Sequence, residues 1–339
     1  MGMLIEGRWC DDDRVIENGV YNRPPSYFGR DLPAGVVEGL RAEPGRYHLI
    51  ASLSCPWSQR ATLIRHLKAL TDDIPLHLAG GPRVQGYAVN AGARWRVPGT
   101  DRTIAHLHEL YSLSEPAYTG RVTVPVLWDS KVRRIVSNES ARIMRACDAA
   151  PGTEALDYTL VPDELAAAID GLNRQLHQGL SNAAYRAGFA ERQDAYAVAV
   201  KDVFDTMNDL ERRLTSQRYL HGGVITESDW RLFPSLVRFD AVYYVLFRCS
   251  RRRLVDYPKL WAYARDLFGW AGVAETVDFD AIREGAYLND RNNNRFGLVA
   301  VAPDANWRAP HGREHLGPAK VALRTGGRLA VDPSNLLPV

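Results

Sequence analysis

Cysteine is scarce in this chain. Cys10, Cys55, Cys147 and Cys249 are its four thiols, spread over 339 residues with no paired spacing. That excludes a disulfide framework and a cysteine-based zinc site, so each thiol has to be judged alone. Long apolar runs are missing as well, since nothing approaches the ~18 residues of a membrane span. The opening "MGMLIEGRWCDDD" is acidic and lacks the apolar stretch of a signal peptide. Glu6 stands where a myristoylation signal needs Ser or Thr. No charge of one sign dominates: the formal net charge is +2, which gives no long-range field toward nucleic acid or an anionic membrane. A cytoplasmic protein with neither of those partners is expected. Serine-hydrolase and phosphate-loop motifs are absent. The paired histidines of "HLHE" (106–109) and "HGREH" (311–315) have no obvious third ligand, so no metal is expected.

What is present is an ordinary globular composition, 46% hydrophobic and 24% charged, at a length that suggests two domains. Residues 1–45 are rich in Pro, Gly and charge and read as an irregular N-terminal arm. From 46 to 150 strands and helices alternate. "RYHLIASLS" is a β-prone run, "PWSQRATLIRHLKAL" has helical spacing with Trp57, Ala61, Ile64 and Leu67 on one side, and "IPLHLAG" is a second strand. After an insertion at about 81–105 and a short helix at "IAHLHELYSL", "TVPVLWD" and "RIVSN" form an antiparallel pair and "ESARIMRACDA" a closing helix. The order βαβ–ββα is that of a thioredoxin-like module. Residues 157–277 carry consecutive amphipathic helices, an all-α domain, and 278–339 read as a tail that wraps the body. The fold class is therefore α/β plus all-α. Within the helical part "TESD" (226–229) has the form of a capping box, with Thr226 at the N-cap and Asp229 three residues on.

Two features of the α/β part carry chemistry. Pro125 interrupts an apolar strand, where proline removes a ladder hydrogen bond. It is tolerated at an edge or at a bend, and a cis Val124–Pro125 bond would supply the bend. Cys55 lies where a strand ends and a helix begins. Pro56 suits the first helical position because its missing N–H would have no partner, which makes Cys55 the N-cap. The helix dipole, the unpaired amides and Arg60 all favour negative charge there, and cysteines so placed become nucleophilic thiolates. Trp57 either covers the sulfur or anchors the helix. Position 58 is serine, so the motif is Cys-Pro-Trp-Ser and no second thiol resolves a mixed disulfide. An external small thiol must do so. The competing reading is a buried structural cysteine. Cys147 reads as core, Cys10 sits in an acidic arm, and Cys249, although beside Arg248 and the run Arg251–Arg253, ends an apolar helix and reads as packing.

These residues, together with "YTGRVTVPVLWD", "IVSNES", "AAYRAGFA", "RYLHGG", "TESDWRLFPSLVRFDAVYY" and "APHGRE", resemble the glutathionyl-hydroquinone reductases, the xi class of glutathione transferases, from about residue 45 to 315. The resemblance implies a thioredoxin-like and an all-α domain, a homodimer, glutathione as co-substrate and an aromatic thiol conjugate as substrate. It implies that Cys55 takes the glutathione sulfur and that a second glutathione resolves the disulfide. By the same resemblance Val124 pairs by its backbone with the cysteinyl part of glutathione. Ser140 holds the γ-glutamyl carboxylate, Glu139 the ammonium, and Tyr185 and Tyr287 the quinone. The insertion departs from the family: "QGYAVN" stands where a Gly-Trp pair is usual, with Tyr87 its nearest match, and Arg83, Arg94 and Arg96 surround it. The stretch after Tyr287, "LNDRNNNRFG", lacks the family's usual Ser-His-x-x-x-Asn-Pro run. A different thiol such as mycothiol would keep Cys55 and change these loops. A non-catalytic binding module with an inert cysteine, and a conjugating transferase, are the rival readings.

Overall fold

The computed structural model describes residues 2–11, 16–22, 24–29, 31–152, 157–290, 292–324 and 329–331, and the remainder of the expected arm and tail lies outside the described residues. The chain forms two units: Met1–Val15, Arg23–Pro151 and Asp280–Asn289 make the first, and Ile16–Asn22, Gly152–Phe279 and Asp290–Val339 the second.

In the first unit the N-terminal segment is more ordered than its composition suggests. β1 (Met3–Ile5) pairs antiparallel with β2 (Arg8–Cys10), and α1 covers Val36–Ala42. The central strand β3 (Tyr47–Ala51) is buried along its whole length, as expected of a strand with both faces covered. It leads into α2 (Pro56–Leu67), whose start is set by Pro56 with Cys55 at the N-cap. β4 (Leu76–Gly80) returns parallel to β3, completing the βαβ crossover. β5 (Ala88–Val89) adds antiparallel to β4 from within the insertion. α3 (Leu107–Ser114) is the short helix anticipated at 104–113. β6 (Gly120–Arg121) pairs with β1.

β7 (Val126–Asp129) runs antiparallel to β3, and β8 (Arg134–Ser137) antiparallel to β7. α4 (Ser140–Ala149) closes the unit. The sheet order is thus β8-β7-β3-β4-β5, the thioredoxin-like arrangement. α2 and α4 pack against each other, tied by a buried Lys68–Asp148 ion pair at 2.9 Å. At the far end of the sheet Arg46 grips the Asp129 carboxylate through Nε and Nη2.

The second unit contains α5 (Ala166–Leu176), α6 (Asn182–Gly188), α7 (Gln193–Arg213), α8 (Glu227–Arg238) and α9 (Pro258–Phe268). The capping box opens α8 as read: Thr226 N–H donates to Asp229 Oδ2 at 2.8 Å. Asp229 also accepts from Leu220 N–H and the Tyr263 hydroxyl, yet burial still raises its pKa to about 6. The arginine run lies on the surface. Arg253 pairs with Asp256, and Arg251 and Arg252 lie over Phe204 and Tyr257. Among the described residues no helix is long and apolar enough to cross a membrane.

Candidate active site

The pairing directions gather one group of residues. β3 and β4 are parallel, and β7 and β8 alternate against them. The carboxyl ends of β8, β3 and β4 and the amino end of β7 therefore share one edge of the sheet. Ser140 follows β8, Val124 and Pro125 precede β7, Cys55 follows β3, and Arg83 and Tyr87 follow β4.

Cys55 is 9% exposed, and its Sγ lies 3.7 Å from the Val124 carbonyl oxygen. The Val124–Pro125 bond is cis. Ser58, which occupies the place of a resolving cysteine, is buried, and its Oγ accepts the Ser52 N–H at 3.1 Å. A hydroxyl there closes the strand–helix turn. Trp57 is buried on the first turn of α2.

Val124 is held in place by groups that no motif announces. The Tyr111 hydroxyl donates to the Thr123 carbonyl at 2.7 Å and accepts from Asn138 Nδ2 at 3.1 Å. Asn138 in turn accepts the Phe28 N–H. The adjoining Glu139 caps α4 by accepting from Ala141 N–H at 3.2 Å, and its other oxygen accepts from the Ser26 hydroxyl at 2.9 Å. Ser140, 2% exposed, has a buried Oγ with no partner among the described residues. A buried hydroxyl without a partner is uncommon, and this one opens α4, where the first N–H groups of a helix favour an anion.

Tyr87 is half-buried, with the Arg83 guanidinium 3.5 Å above its ring. Burial raises the Tyr87 phenol pKa. The Arg83 charge opposes that shift, and the nearby Cys55 sulfur adds to it. The Arg83 Nε is buried and has no partner among the described residues. The Arg83 backbone N–H donates to Asn289 Oδ1 at 3.0 Å.

That bond ties the insertion to the end of α10 (Phe279–Tyr287), whose residues from Asp280 belong to this unit. Gly285 on α10 is packed so tightly that a Cβ would lie 2.3 Å from the Ser54 Cβ, one residue from Cys55. Tyr287, two residues further on, is buried, and burial raises its pKa. Of the residues that the resemblance assigns to the thiol and quinone sites, Tyr185 alone falls in the second unit. It is half-buried on α6, ringed by Phe247 at 5.0 Å and Tyr243 at 5.9 Å.

The other thiols are placed as packing. Burial pushes both Cys147 and Cys249 up to about 12, so the arginine beside Cys249 does not make it reactive. The "HLHE" pair does meet a third group: ligand atoms of His106, His108 and Glu109 lie within 4.8 Å of one another. Glu109 Oε1, however, already accepts the N–H groups of Ala105 and His106 at the start of α3.

Comparison with known proteins gives a consistent result. Residues 54–150 match the glutathione S-transferase N-terminal domain and residues 193–266 the glutathione S-transferase C-terminal domain. The glutathionyl-hydroquinone reductase YqjG of Escherichia coli is 39% identical over 93% of this chain and 99% of its own. The glutathionyl-hydroquinone reductase PcpF of Sphingobium chlorophenolicum is 38% identical over 89% and 96%. The glutathione-bound structure of YqjG superposes with a TM-score of 0.75, covering 80% of this chain and 89% of that one at 38% identity.

Proposed function

The chain belongs to the glutathionyl-hydroquinone reductases, the xi class of the glutathione transferases, and we propose that it reduces glutathionyl-hydroquinones through a mixed disulfide on Cys55. Glutathione is the co-substrate. The observation that carries the reading is the position of Cys55 at the N-cap of α2, with its sulfur 3.7 Å from the carbonyl that precedes a cis proline. A thiol ligand laid along that backbone brings its own sulfur to Cys55.

In the first step the Cys55 thiolate attacks the sulfur of the glutathionyl thioether. The carbon–sulfur bond breaks, the aromatic carbon takes a proton, and hydroquinone leaves. The sulfur pair is now oxidised to a Cys55–glutathione disulfide. A second glutathione thiolate attacks the glutathione sulfur of that disulfide, releasing glutathione disulfide and the Cys55 thiolate. The net change is one conjugate and one glutathione converted to hydroquinone and glutathione disulfide. With Ser at 58 the disulfide has no internal resolving thiol, and the second glutathione is required.

Val124 offers backbone hydrogen bonds to the cysteinyl unit, and Pro125 fixes the bend that presents them. The unpartnered Ser140 hydroxyl and the first amides of α4 suit the γ-glutamyl carboxylate. Glu139 suits the ammonium as a third partner beside its cap and Ser26 bonds. Trp57 and Tyr87 are assigned to the thiol part of the site. Tyr287 and Tyr185 are assigned to the aromatic part of the conjugate, where a phenol stacks and donates to a quinol oxygen. The thioredoxin-like domain at 46–150 supplies the thiol site. A homodimer and a cytoplasmic setting complete the reading, since the chemistry needs reduced small thiols.

The test is mass spectrometry after mixing with a glutathionyl-hydroquinone. The protein should gain one glutathione on Cys55, release hydroquinone, and lose the adduct on adding glutathione. Cys55→Ser should slow turnover by a factor of about 10³ or more. Absence of any mixed disulfide on Cys55 would instead indicate conjugating chemistry.

A further inference from the structure

We infer that Arg83 is a specificity residue for the C-terminal carboxylate of the thiol, so that this protein selects an anionic peptide thiol over a neutral one. The inference rests on the functional reading above. Neighbouring strands are ~4.8 Å apart, so β8 to β4, three intervals, spans ~14 Å along the active edge. An extended tripeptide covers ~10 Å, and the γ-linkage of glutathione lengthens it further. With the γ-glutamyl end at Ser140 and the cysteinyl backbone at Val124, the other end of the peptide points past Cys55 toward the loop after β4. Arg83 is on that loop.

Four observations make Arg83 a waiting cation rather than a structural one. No carboxylate pairs with it among the described residues. Its Nε is buried without a partner. Its guanidinium rests on the Tyr87 face at 3.5 Å, and the Tyr87 phenol is within electrostatic reach of the Cys55 sulfur. Its backbone is pinned by Asn289, which itself donates to the Gly285 carbonyl at 3.0 Å, so the loop position is fixed from α10. A guanidinium on a fixed loop, with no carboxylate beside it among the described residues, presents the planar fork that matches a carboxylate. A neutral sugar thiol such as mycothiol offers it nothing to bind.

The experiment compares two disulfides as donors to Cys55: glutathione disulfide, and the same molecule with both glycyl carboxylates ethyl-esterified. Each reacts with the Cys55 thiolate to give one mixed disulfide and one released thiolate, followed by intact mass. The wild-type protein should prefer glutathione disulfide by roughly ten- to hundredfold, the range of one charge-assisted hydrogen bond. In Arg83→Met that ratio should fall to about one, and Arg83→Lys should restore part of it. Loss of Tyr87 support would slow both donors together and leave the ratio unchanged. A wild-type ratio near one, or a ratio equally large in Arg83→Met, overturns the inference alone. Failure of both donors to modify Cys55 in the wild-type protein overturns the functional reading and the inference with it.

Discussion

The Cys55 sulfur and the Val124 carbonyl oxygen are 3.7 Å apart. Each residue sits at its own local irregularity, one at a helix cap and the other before a cis proline. Their meeting brings the start of α2 and the bend before β7 together at one edge of the sheet.

Ser140 and Glu139 are neighbours with different expected phenotypes. The Ser140 hydroxyl bonds nothing among the described residues, so Ser140→Ala should leave the urea midpoint unchanged while raising the KM for glutathione about tenfold, one hydrogen bond to a charged group. Glu139 caps α4 and holds Ser26. Glu139→Ala should therefore also cost about 1 kcal/mol of stability. Equal stability losses in the two variants would contradict this division.

Gly285 and Ser54 are in close packing beside Cys55. A methyl group on Gly285 cannot be accommodated by turning a rotamer, because the nearest atom is the Ser54 Cβ. Gly285→Ala should lower stability by about 1–3 kcal/mol and slow Cys55 modification. Ser54→Gly in the same chain should recover most of the loss, a coupling that a double-mutant cycle reads directly. Additive effects would show that the two residues do not clash.

Acid should weaken the first unit through a histidine pair. Trp95 Nε1–H donates to His77 Nδ1 at 3.2 Å, so His77 Nε2 carries the hydrogen and donates to His48 Nδ1 at 3.1 Å. A proton on His77 Nδ1 would face the Trp95 N–H. Burial holds His77 down to about 4 and His48 below its usual value. The unfolded chain thus takes up protons first, near 6.5. The contribution of the pair is intact above about pH 6.5 and is lost as pH falls toward 4. Asp229, raised to about 6, has the opposite slope below pH 6. The comparison is therefore wild type against His77→Gln in urea melts from pH 4.5 to 8. The wild-type midpoint should fall relative to the variant below pH 6.5, and parallel curves would refute the assignment.

Arg313 is 2% exposed and donates to the carbonyls of Leu214, Gln217, Arg218 and Lys259. Leu214 is the C-cap of α7, so this arginine satisfies carbonyls that a helix end leaves open. Arg313→Lys cannot reach all four. It should cost about 2–4 kcal/mol, seen as a lower urea midpoint with the Cys55 reaction rate unchanged once folded. A midpoint within error of wild type would remove the clamp from the account.

Much of the fold and the centre of the site were legible in the residues themselves. The alternation of strand and helix, the proline at the first position of α2, the serine at 58 and the capping box at Thr226 are set by interactions within a few residues, and each was placed where the structure has it. The segments read as irregular were the ones whose order comes from partners far along the chain. β1 is ordered by β6, and residues 280–289 by the turn that carries Cys55. Tyr111 and Asn138 gave no signal, because a hydrogen bond to Thr123 leaves no periodicity.

The sequence by itself determined that one cysteine caps a helix beside a bent strand, because caps and bends are local and short in range. Only the tertiary structure decided which distant groups stand around that sulfur: the unpartnered Ser140, the Arg83 over Tyr87, the glycine against Ser54. Those distances depend on how strands order and helices pack, and the pairing of residues hundreds of positions apart is fixed by burial of the whole rather than by any stretch of it.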